Sequence, residues 1–291
     1  MSLLREAVKN NKIEDVQELI ANGIDINEVS VKINLQTALH LAAGHGYAQI
    51  AELLISNGAH IDAKDIRGAT PLHYAVGQNQ MKTTKLLIEN GANIHAVTSY
   101  KINETLIEKT PLEFAALKCH TDIIRLLIEH KADINKLLFS TIFMQNIKVF
   151  ECVLKAGVHV DTLIKDPYGK SKTVISLLCL AIRLNKTEMV EILLKNGATL
   201  KSKQGNILAY AIRKDSNMDI IKTLIKHGAK INLKTKRKDS PLHVAVKRQE
   251  IEVVKVLLQN GAKVNAKDHE NCTPLEHAIP SIDIAKLLLQ Y

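Results

Sequence analysis

Histidine is the residue type in this chain that could most readily bind a metal ion, because neutral imidazole is a common metal ligand. Three histidines, His40, His73 and His243, each stand at the fourth position of a recurring hexad. They recur because the hexad recurs, and their spacing is not that of ligands on one helix face. We therefore expect a repeated structural role for them and predict no metal site.

A glycine-rich segment suggests a second chemistry. Gly44-His45-Gly46 begins like a dinucleotide-binding fingerprint, but Gln49 stands where the third glycine should be, and the segment lies between two predicted helices. The sequence contains no P-loop, no H-E-x-x-H, no G-x-S-x-G and no C-x-x-C. We therefore predict no catalytic activity and no cofactor.

The four cysteines are widely separated: Cys119, Cys152, Cys179 and Cys272 have no short spacing between any two of them. Metal and redox motifs place cysteines two to four residues apart, and disulfides persist in oxidising compartments. We expect free thiols in a reducing compartment.

The elements that must position these residues come from a repeat. The hexad Thr70-Pro71-Leu72-His73-Tyr74-Ala75 has related copies that begin at Thr37, Thr110, Ser240 and Thr273. A second marker, an aliphatic run ending in glycine, falls at positions 23, 58, 91, 157, 197, 228 and 261, with Lys131 once in place of glycine. Threonine caps a helix, proline is tolerated in its first turn, and glycine ends a helix. Each unit is therefore predicted to contain two helices.

A period near 33 residues that carries T-P-L-H-x-A resembles the ankyrin-repeat family over essentially all of residues 1–291. The resemblance implies an all-α-dominated repeat solenoid, built of helix-turn-helix units with short β-hairpin fingers. It also implies that the hexad histidine bonds to the neighbouring finger. In this family the partner usually lies along a concave face made by finger tips and by two positions after the alanine pair of the hexad.

We predict a single domain of nine repeats. Their bounds are 1–33 (an N-terminal capping repeat), 34–65, 66–108, 109–136, 137–173, 174–204, 205–237, 238–270 and 271–291 (a truncated repeat). The spacing predicts insertions at 97–108 and 161–173, the second with an Asp166-Pro167-Tyr168-Gly169 turn signal, and a fifth repeat that has lost its finger.

Membrane and secretion signals are not evident. The longest apolar stretch, Val174 to Ile182, is too short to span a bilayer, and Leu3-Leu4 is followed at once by Arg5 and Glu6. We expect a cytoplasmic protein, with secretion by another route or nuclear import left open. Ankyrin chains of this composition resemble those that intracellular bacteria and large viruses deploy in host cells, which leaves a host-directed effector as one interpretation.

The basic charge is concentrated in the second half of the chain. Residues 1–145 contain 14 Lys and Arg against 16 Asp and Glu, a net charge of −2, whereas residues 146–291 contain 25 against 14, a net charge of +11. Among the two variable positions of each repeat, the early repeats have neutral residues such as Gly77 and Gln78, and the late repeats have cations. The finger residues Lys203 and 234–238 add to the late charge, and the latter also resemble a nuclear import signal.

Three of the four phenylalanines, Phe139, Phe143 and Phe150, lie in the fifth repeat. One interpretation is that they fill the core left open by the missing finger. The other is that Phe143 and Met144 form an exposed apolar anchor, flanked by cations, of the kind that dominates many interfaces.

The sequence therefore predicts a non-catalytic protein-interaction module that binds an acidic protein segment along the concave face of the C-terminal repeats. The residues predicted to contact this partner are Phe143, Met144, Arg183, Arg213, Lys214, Lys236, Arg237, Lys247 and Arg248. One alternative is binding of nucleic acid or anionic lipid by the same basic patch, with Tyr210 as the candidate for base stacking. Another is a scaffold that self-associates through its C-terminal helix, where Leu287-Leu288-Leu289 is unusually apolar.

Overall fold

The structure, a computed structural model, describes residues 3–29, 34–102, 105–165, 174–202, 205–279 and 281–291. The chain divides into two compact units. Unit 1 comprises residues 1–137 and 148–158, and unit 2 comprises residues 138–147 and 159–291. The turn signal at 166–169 and the finger residue Lys203 lie outside the described residues.

Unit 1 is a stack of helix pairs. Its paired helices are α1 (Leu3–Lys9) with α2 (Ile13–Ala21), α3 (Ala38–His45) with α4 (Ala48–Ser56), α5 (Pro71–Gly77) with α6 (Met81–Glu89), and α7 (Pro111–Lys118) with α8 (Thr121–Glu129). The first helix of each pair packs on the first helix of the next, and the second helices do the same. A short antiparallel hairpin, β1 (Tyr100–Ile102) with β2 (Thr105–Ile107), occupies the predicted insertion at 97–108.

The fifth repeat contributes residues to both units. It contains α9 (Asn135–Phe143) and α10 (Ile147–Lys155); most of α9 belongs to unit 2 and most of α10 to unit 1. Asn135, which starts α9, follows the preceding helix pair after only five residues, so this repeat has no room for a finger.

Unit 2 repeats the two-layer arrangement of unit 1. Its helices are α11 (Leu177–Arg183), α12 (Thr187–Lys195), α13 (Ile207–Arg213), α14 (Met218–Lys226), α15 (Pro241–Lys247), α16 (Ile251–Gln259), α17 (Pro274–His277) and α18 (Ile282–Leu289). The odd-numbered helices pack on one another in sequence, as do the even-numbered helices. Two antiparallel hairpins precede the first two pairs: β3 (Leu163–Lys165) with β4 (Val174–Ser176), and β5 (Lys201–Ser202) with β6 (Gly205–Asn206).

The hexad starts the first helix of a pair, as the sequence predicts. The side chain of Thr37 accepts the backbone N–H of His40 at the start of α3, and Ser240 caps α15 in the same way. Pro71 occupies the first turn of α5, where its missing N–H has no intrahelical partner to lose. After the second helix, Gly58 has φ +89°, a left-handed conformation that glycine adopts without steric cost.

Small aliphatic side chains form the core. Ala42 on α3 and Ala75 and Val76 on α5 are fully buried among the first helices of their pairs. Leu54 on α4 and Leu87 on α6 are fully buried on the second helices. Burial of each such leucine contributes about 2 kcal/mol from apolar area alone. Alanine lets the first helices of adjacent repeats approach closely. These contacts between adjacent repeats are the main source of stability in a repeat protein.

Asparagine side chains bridge successive repeats at their fingers. Asn27 donates from Nδ2 to the Gly58 carbonyl at 3.1 Å and accepts the His60 N–H at 2.7 Å. Asn232 makes the equivalent pair of bonds to Gly261 and Lys263, both at 2.9 Å. These bonds satisfy backbone groups of the next repeat and fix its position.

The expectation of four free thiols is wrong for two cysteines. Cys119 and Cys152 form a disulfide within unit 1, with a Cα–Cα separation of 5.5 Å, whereas Cys179 and Cys272 are free. Cys119 lies in the turn after α7 and Cys152 lies on α10 of the next repeat. Stacking of α10 on the fourth repeat therefore brings together two cysteines that are 33 residues apart in sequence.

Candidate interaction surface

The hexad histidines hold neighbouring repeats together. The ring Nδ1 of His73 accepts the backbone N–H of Thr70 at 3.1 Å, which leaves the ring proton on Nε2. Nε2 then donates to the Lys109 carbonyl in the next repeat, also at 3.1 Å. His40 and His243 make the same bonds to Ala69 and Cys272. Each ring therefore has both nitrogens engaged, and the three histidines do not meet at one site.

Burial lowers the pKa of all three rings. Desolvation brings the pKa of His73 down from 6.5 to about 4, against the opposing influence of its bond to the Lys109 carbonyl. The same cause lowers the pKa of His40 and of His243. These rings are neutral at physiological pH, as the bonding pattern requires.

A charge network centred on the buried Asp268 joins the eighth and ninth repeats. The Lys247 ammonium lies 2.9 Å from a carboxylate oxygen of Asp239 and 2.9 Å from one of Asp268. His277 Nε2 lies 2.7 Å from the same Asp268 oxygen. Burial by itself would raise the pKa of Asp268, but the hydrogen bonds from Lys247 and His277 outweigh it and hold that pKa well below its usual range. Likewise, the two carboxylates raise the pKa of Lys247 despite its desolvation.

This network also contains residue types that bind metals. One ligand atom each from Asp268, Cys272 and His277 lies within 4.8 Å of the others. The shared Asp268 oxygen is already bonded to Lys247 and His277, so the ammonium supplies the positive charge that the carboxylate needs. The observed role of the network is to join two repeats.

The turns between paired helices lie side by side in unit 2. Gln145 Nε2 donates to a carboxylate oxygen of Glu188 at 2.7 Å. The backbone N–H of Asn217 donates to Asn185 Oδ1 at 2.9 Å. Each of these bonds joins the turn of one repeat to the turn or helix start of the next. The predicted cationic positions in these turns therefore form a row.

The cations in this row differ in exposure and in whether they pair with carboxylates. Arg213 and Lys214 are exposed, and the Lys214 ammonium lies 5.9 Å from the centre of the Tyr210 ring. Arg248 is paired with Asp215 in the preceding turn and with Glu250, the latter at 2.7 Å. Arg183 is half-buried. Lys247, which the sequence also predicts as a partner contact, is exposed, and its ammonium is paired with Asp239 and Asp268.

Apolar side chains are exposed at one end of the row. Phe143 is 47% exposed and Met144 is 73% exposed. The Phe143 ring stacks on Phe139 with centroids 5.7 Å apart, and the Lys186 ammonium lies 5.7 Å from the Phe143 ring centre. Phe150 is fully buried in unit 1. Phe150 therefore belongs to the core of unit 1, whereas the exposure of Phe143 is what the anchor interpretation requires.

The finger before α15 presents further cations. The Thr235 N–H donates to the Asp239 carbonyl at 2.8 Å, which closes a tight turn around Lys236, Arg237 and Lys238. All three of these side chains are exposed. The turn thus holds them at the tip of the finger, away from the core.

The structure corrects the expectation for Tyr210 and distinguishes the leucines at the end of α18. Tyr210, the candidate for base stacking, is only 4% exposed and so cannot offer a ring face to a nucleobase. In the C-terminal helix α18, Leu288 is buried at 4% exposure whereas Leu289 is 72% exposed. A substitution at Leu288 would therefore disturb the core and not an outer surface.

Comparisons with known proteins agree with this architecture. A sequence model of three consecutive ankyrin repeats matches residues 4–98, 145–235 and 217–291, and a model of a single ankyrin repeat matches residues 108–136. The chain belongs to the ankyrin-repeat family. Ankyrin repeats are generally non-catalytic modules for protein–protein interaction, and they bind protein partners.

Similar ankyrin-repeat proteins come from a virus, animals and a bacterium. A fowlpox virus ankyrin repeat protein is 30% identical over 131 residues, which is 43% of this chain and 36% of that protein. Human ankyrin repeat domain-containing protein 17 is 39% identical over 67 residues, 23% of this chain and 3% of that protein. The ankyrin repeat domain of human ASB11 aligns with 100% of this chain and 97% of that domain at 21% identity and a TM-score of 0.40. The chain thus spans about a third or less of these two curated relatives.

In the part of the chain that the structure describes, no helix is both long and apolar enough to cross a membrane. The predicted partner surface lies wholly within unit 2. Its described parts are the row of turns, the apolar pair Phe143 and Met144, and the cationic finger tip.

Proposed function

We propose that this ankyrin-repeat chain binds an acidic protein segment along the row of turns in unit 2. The observation that carries the proposal is the succession of side-by-side turns, in which exposed Arg213 and Lys214 follow the exposed apolar pair Phe143 and Met144. Guanidinium and ammonium groups favour carboxylates, and long-range attraction grows as such groups accumulate. The finger residues Lys236 and Arg237 extend the cationic surface.

The chemistry of the surface also suggests what the segment carries. Phe143 and Met144 offer an apolar contact bordered by the Lys186 ammonium. An aromatic or aliphatic side chain of the partner would bury apolar area there, and neighbouring carboxylates would meet the cations. The preferred ligand is therefore an apolar residue flanked by Asp and Glu.

Nucleic acid is the second candidate, because the same cations would attract phosphate. The burial of Tyr210 weighs against it, since sequence-independent single-strand binding usually depends on exposed aromatic rings on which bases stack. Carboxylates also interleave with the cations: Glu188, Asp215 and Glu250 all lie in the row. Closely spaced phosphates would be repelled by them.

The test is a binding titration with a fluorescein-labelled acidic peptide that contains one central phenylalanine. We expect the double variant Arg213→Glu with Lys214→Glu to weaken binding at least tenfold, about 1.4 kcal/mol. The matched control is Lys222→Glu with Lys255→Glu, which changes the net charge equally on the exposed sides of α14 and α16. This control should bind nearly as tightly as the native chain.

Equal losses in both double variants would mean that only net charge matters, and would remove the proposed surface. A parallel titration with single-stranded DNA tests the second candidate. Binding of DNA but not of peptide, lost steeply with added salt, would favour nucleic acid. Replacing the central phenylalanine of the peptide by serine isolates the apolar contact, which should account for about tenfold in affinity.

A further inference from the structure

The Cys119–Cys152 disulfide joins two repeats within unit 1 at an unusual junction. Cys119 caps α7, in the turn before α8, and Cys152 lies on α10 of the following repeat. The bond therefore ties the turn of the fourth repeat to the second helix of the fifth.

Both members of this pair depart from what the other repeats have at the same positions. The turn residue has a left-handed backbone, with φ between 53° and 78°, in the other repeats too, where it is Asn11, Gly46, Asn79, Gln145, Asn185, Asp215 or Gln249. The position on the next repeat's second helix is elsewhere Leu53, Leu86, Leu126, Ile192, Thr223, Val256 or Leu287. Only at the junction of the fourth and fifth repeats does the sequence place a cysteine at both positions.

This junction is also the one where the fifth repeat has no finger. At other junctions, finger residues such as Asn27 and Asp62 accept a backbone N–H from the next finger. Asn135 occupies the position equivalent to Asn27, but it is the first residue of α9. Its N–H donates to Asp133 Oδ1 in its own turn at 2.9 Å. The fifth repeat, which has no finger, is thus linked covalently to the fourth through the turn at the end of α7.

We propose that the Cys119–Cys152 pair is a redox-sensitive clasp that fixes α10 to the fourth repeat when oxidised and loosens it when reduced. Cys119 is half-buried in a surface turn, beside the exposed Lys118, and is the more exposed of the two cysteines, so it is the one that an attacking thiolate would meet first. Cys152 is only 8% exposed and is the leaving group of the first step.

The exchange balances with glutathione as the co-reactant. A glutathione thiolate attacks Cys119 Sγ, the Cys119–Cys152 bond breaks, and Cys152 leaves as a thiolate that takes up a proton. A second glutathione thiolate attacks the glutathione sulfur of the mixed disulfide, releasing Cys119 as a thiolate and forming glutathione disulfide. Two electrons pass from two glutathiones to the protein, and glutathione disulfide drives the reverse reaction.

The test compares the full chain equilibrated with glutathione disulfide and with an excess of reduced glutathione. Mass spectrometry after thiol alkylation should show the Cys119–Cys152 link only in the oxidised sample. Reduction should lower Tm by about 10 °C, as expected for a bond that closes a loop of this length. Amide hydrogen exchange should rise in α10 and not in α5.

Cys119→Asn is the sharpest variant, because asparagine occupies the same left-handed turn position in other repeats and should preserve the fold. This variant should resemble the reduced native chain and should not respond to glutathione. Cys272→Ala, which removes a free thiol, should respond as the native chain does. Failure of the link to form under glutathione disulfide, or equal Tm and exchange in both redox states, would overturn the proposal.

Discussion

The buried histidines make a quantitative prediction about acid sensitivity, which is clearest for His73. Its Nδ1 faces the Thr70 N–H, so protonation would place two hydrogens against each other and would leave a charge in a buried site. Burial lowers its pKa from 6.5 to about 4. The folded chain therefore prefers the neutral ring. The stability that depends on this ring is complete above pH 6.5 and is lost as the pH falls towards 4.

The magnitude follows from that difference in pKa. One unit corresponds to about 1.4 kcal/mol, so the full loss is about 3 kcal/mol, of which about 2 kcal/mol falls between pH 7 and pH 5. In His73→Gln the side-chain amide can still donate to the Lys109 carbonyl but does not titrate. This variant should be less stable at pH 7, and its stability should change less between the two pH values.

Two measurements check the prediction. Urea unfolding at about pH 7 and pH 5 should show a pH dependence smaller by about 2 kcal/mol in His73→Gln than in the native chain. His95→Gln, at an exposed finger position, is the matched control and should keep the native pH dependence. Titration of His73 in the folded chain by NMR should place its pKa well below 6.5. An NMR value at or above 6.5, or an unchanged pH dependence, would refute the reasoning.

Three further predictions concern the interaction surface and the charge network. Asp215→Asn frees Arg248 from its partner in the preceding turn, so affinity for an acidic peptide should rise about threefold; unchanged or weaker binding in a titration would contradict this. Phe143→Ala should weaken peptide binding about tenfold with little change in Tm, since the side chain is 47% exposed; a large fall in Tm would identify it as core. Asp268→Asn should lower Tm at neutral pH, because Lys247 loses one of its two carboxylates. The variant should also lose less stability than the native chain as the pH falls below about 4, because the lowered pKa of the native Asp268 makes its protonation destabilising. Thermal melts at neutral pH and below about pH 4 would measure the two effects. An unchanged Tm at neutral pH, or an unchanged loss of stability in acid, would contradict the prediction.

The repeat architecture could be predicted from the sequence because its signals are local. The Thr37 cap and the glycine turn at Gly58 each depend on a few adjacent residues, and both form as predicted. The structural role of His73 was also accessible, since it recurs with its hexad.

The state of individual side chains was less accessible, because it depends on contacts between repeats. Lysine is usually a solvent-exposed cation, but the Lys247 ammonium forms ion pairs with Asp239 and Asp268 from neighbouring turns. Tyr210 is buried between repeats, although base stacking, the role that the nucleic-acid alternative gave it, needs an exposed ring. The Cys119–Cys152 bond was not accessible, because it joins a turn residue to a residue on the second helix of the next repeat, and their proximity depends on how α10 packs.

The most direct test of the central claim is amide hydrogen exchange of the full chain with and without a saturating acidic peptide. Binding along the row of turns predicts slower exchange at 183–186, at 213–217 and at the finger 234–239, with α12, α14 and α16 unchanged. Protection confined to unit 1, or spread evenly over the second helices, would contradict the account. It would show that the exposed cations of unit 2 are not where an acidic partner binds.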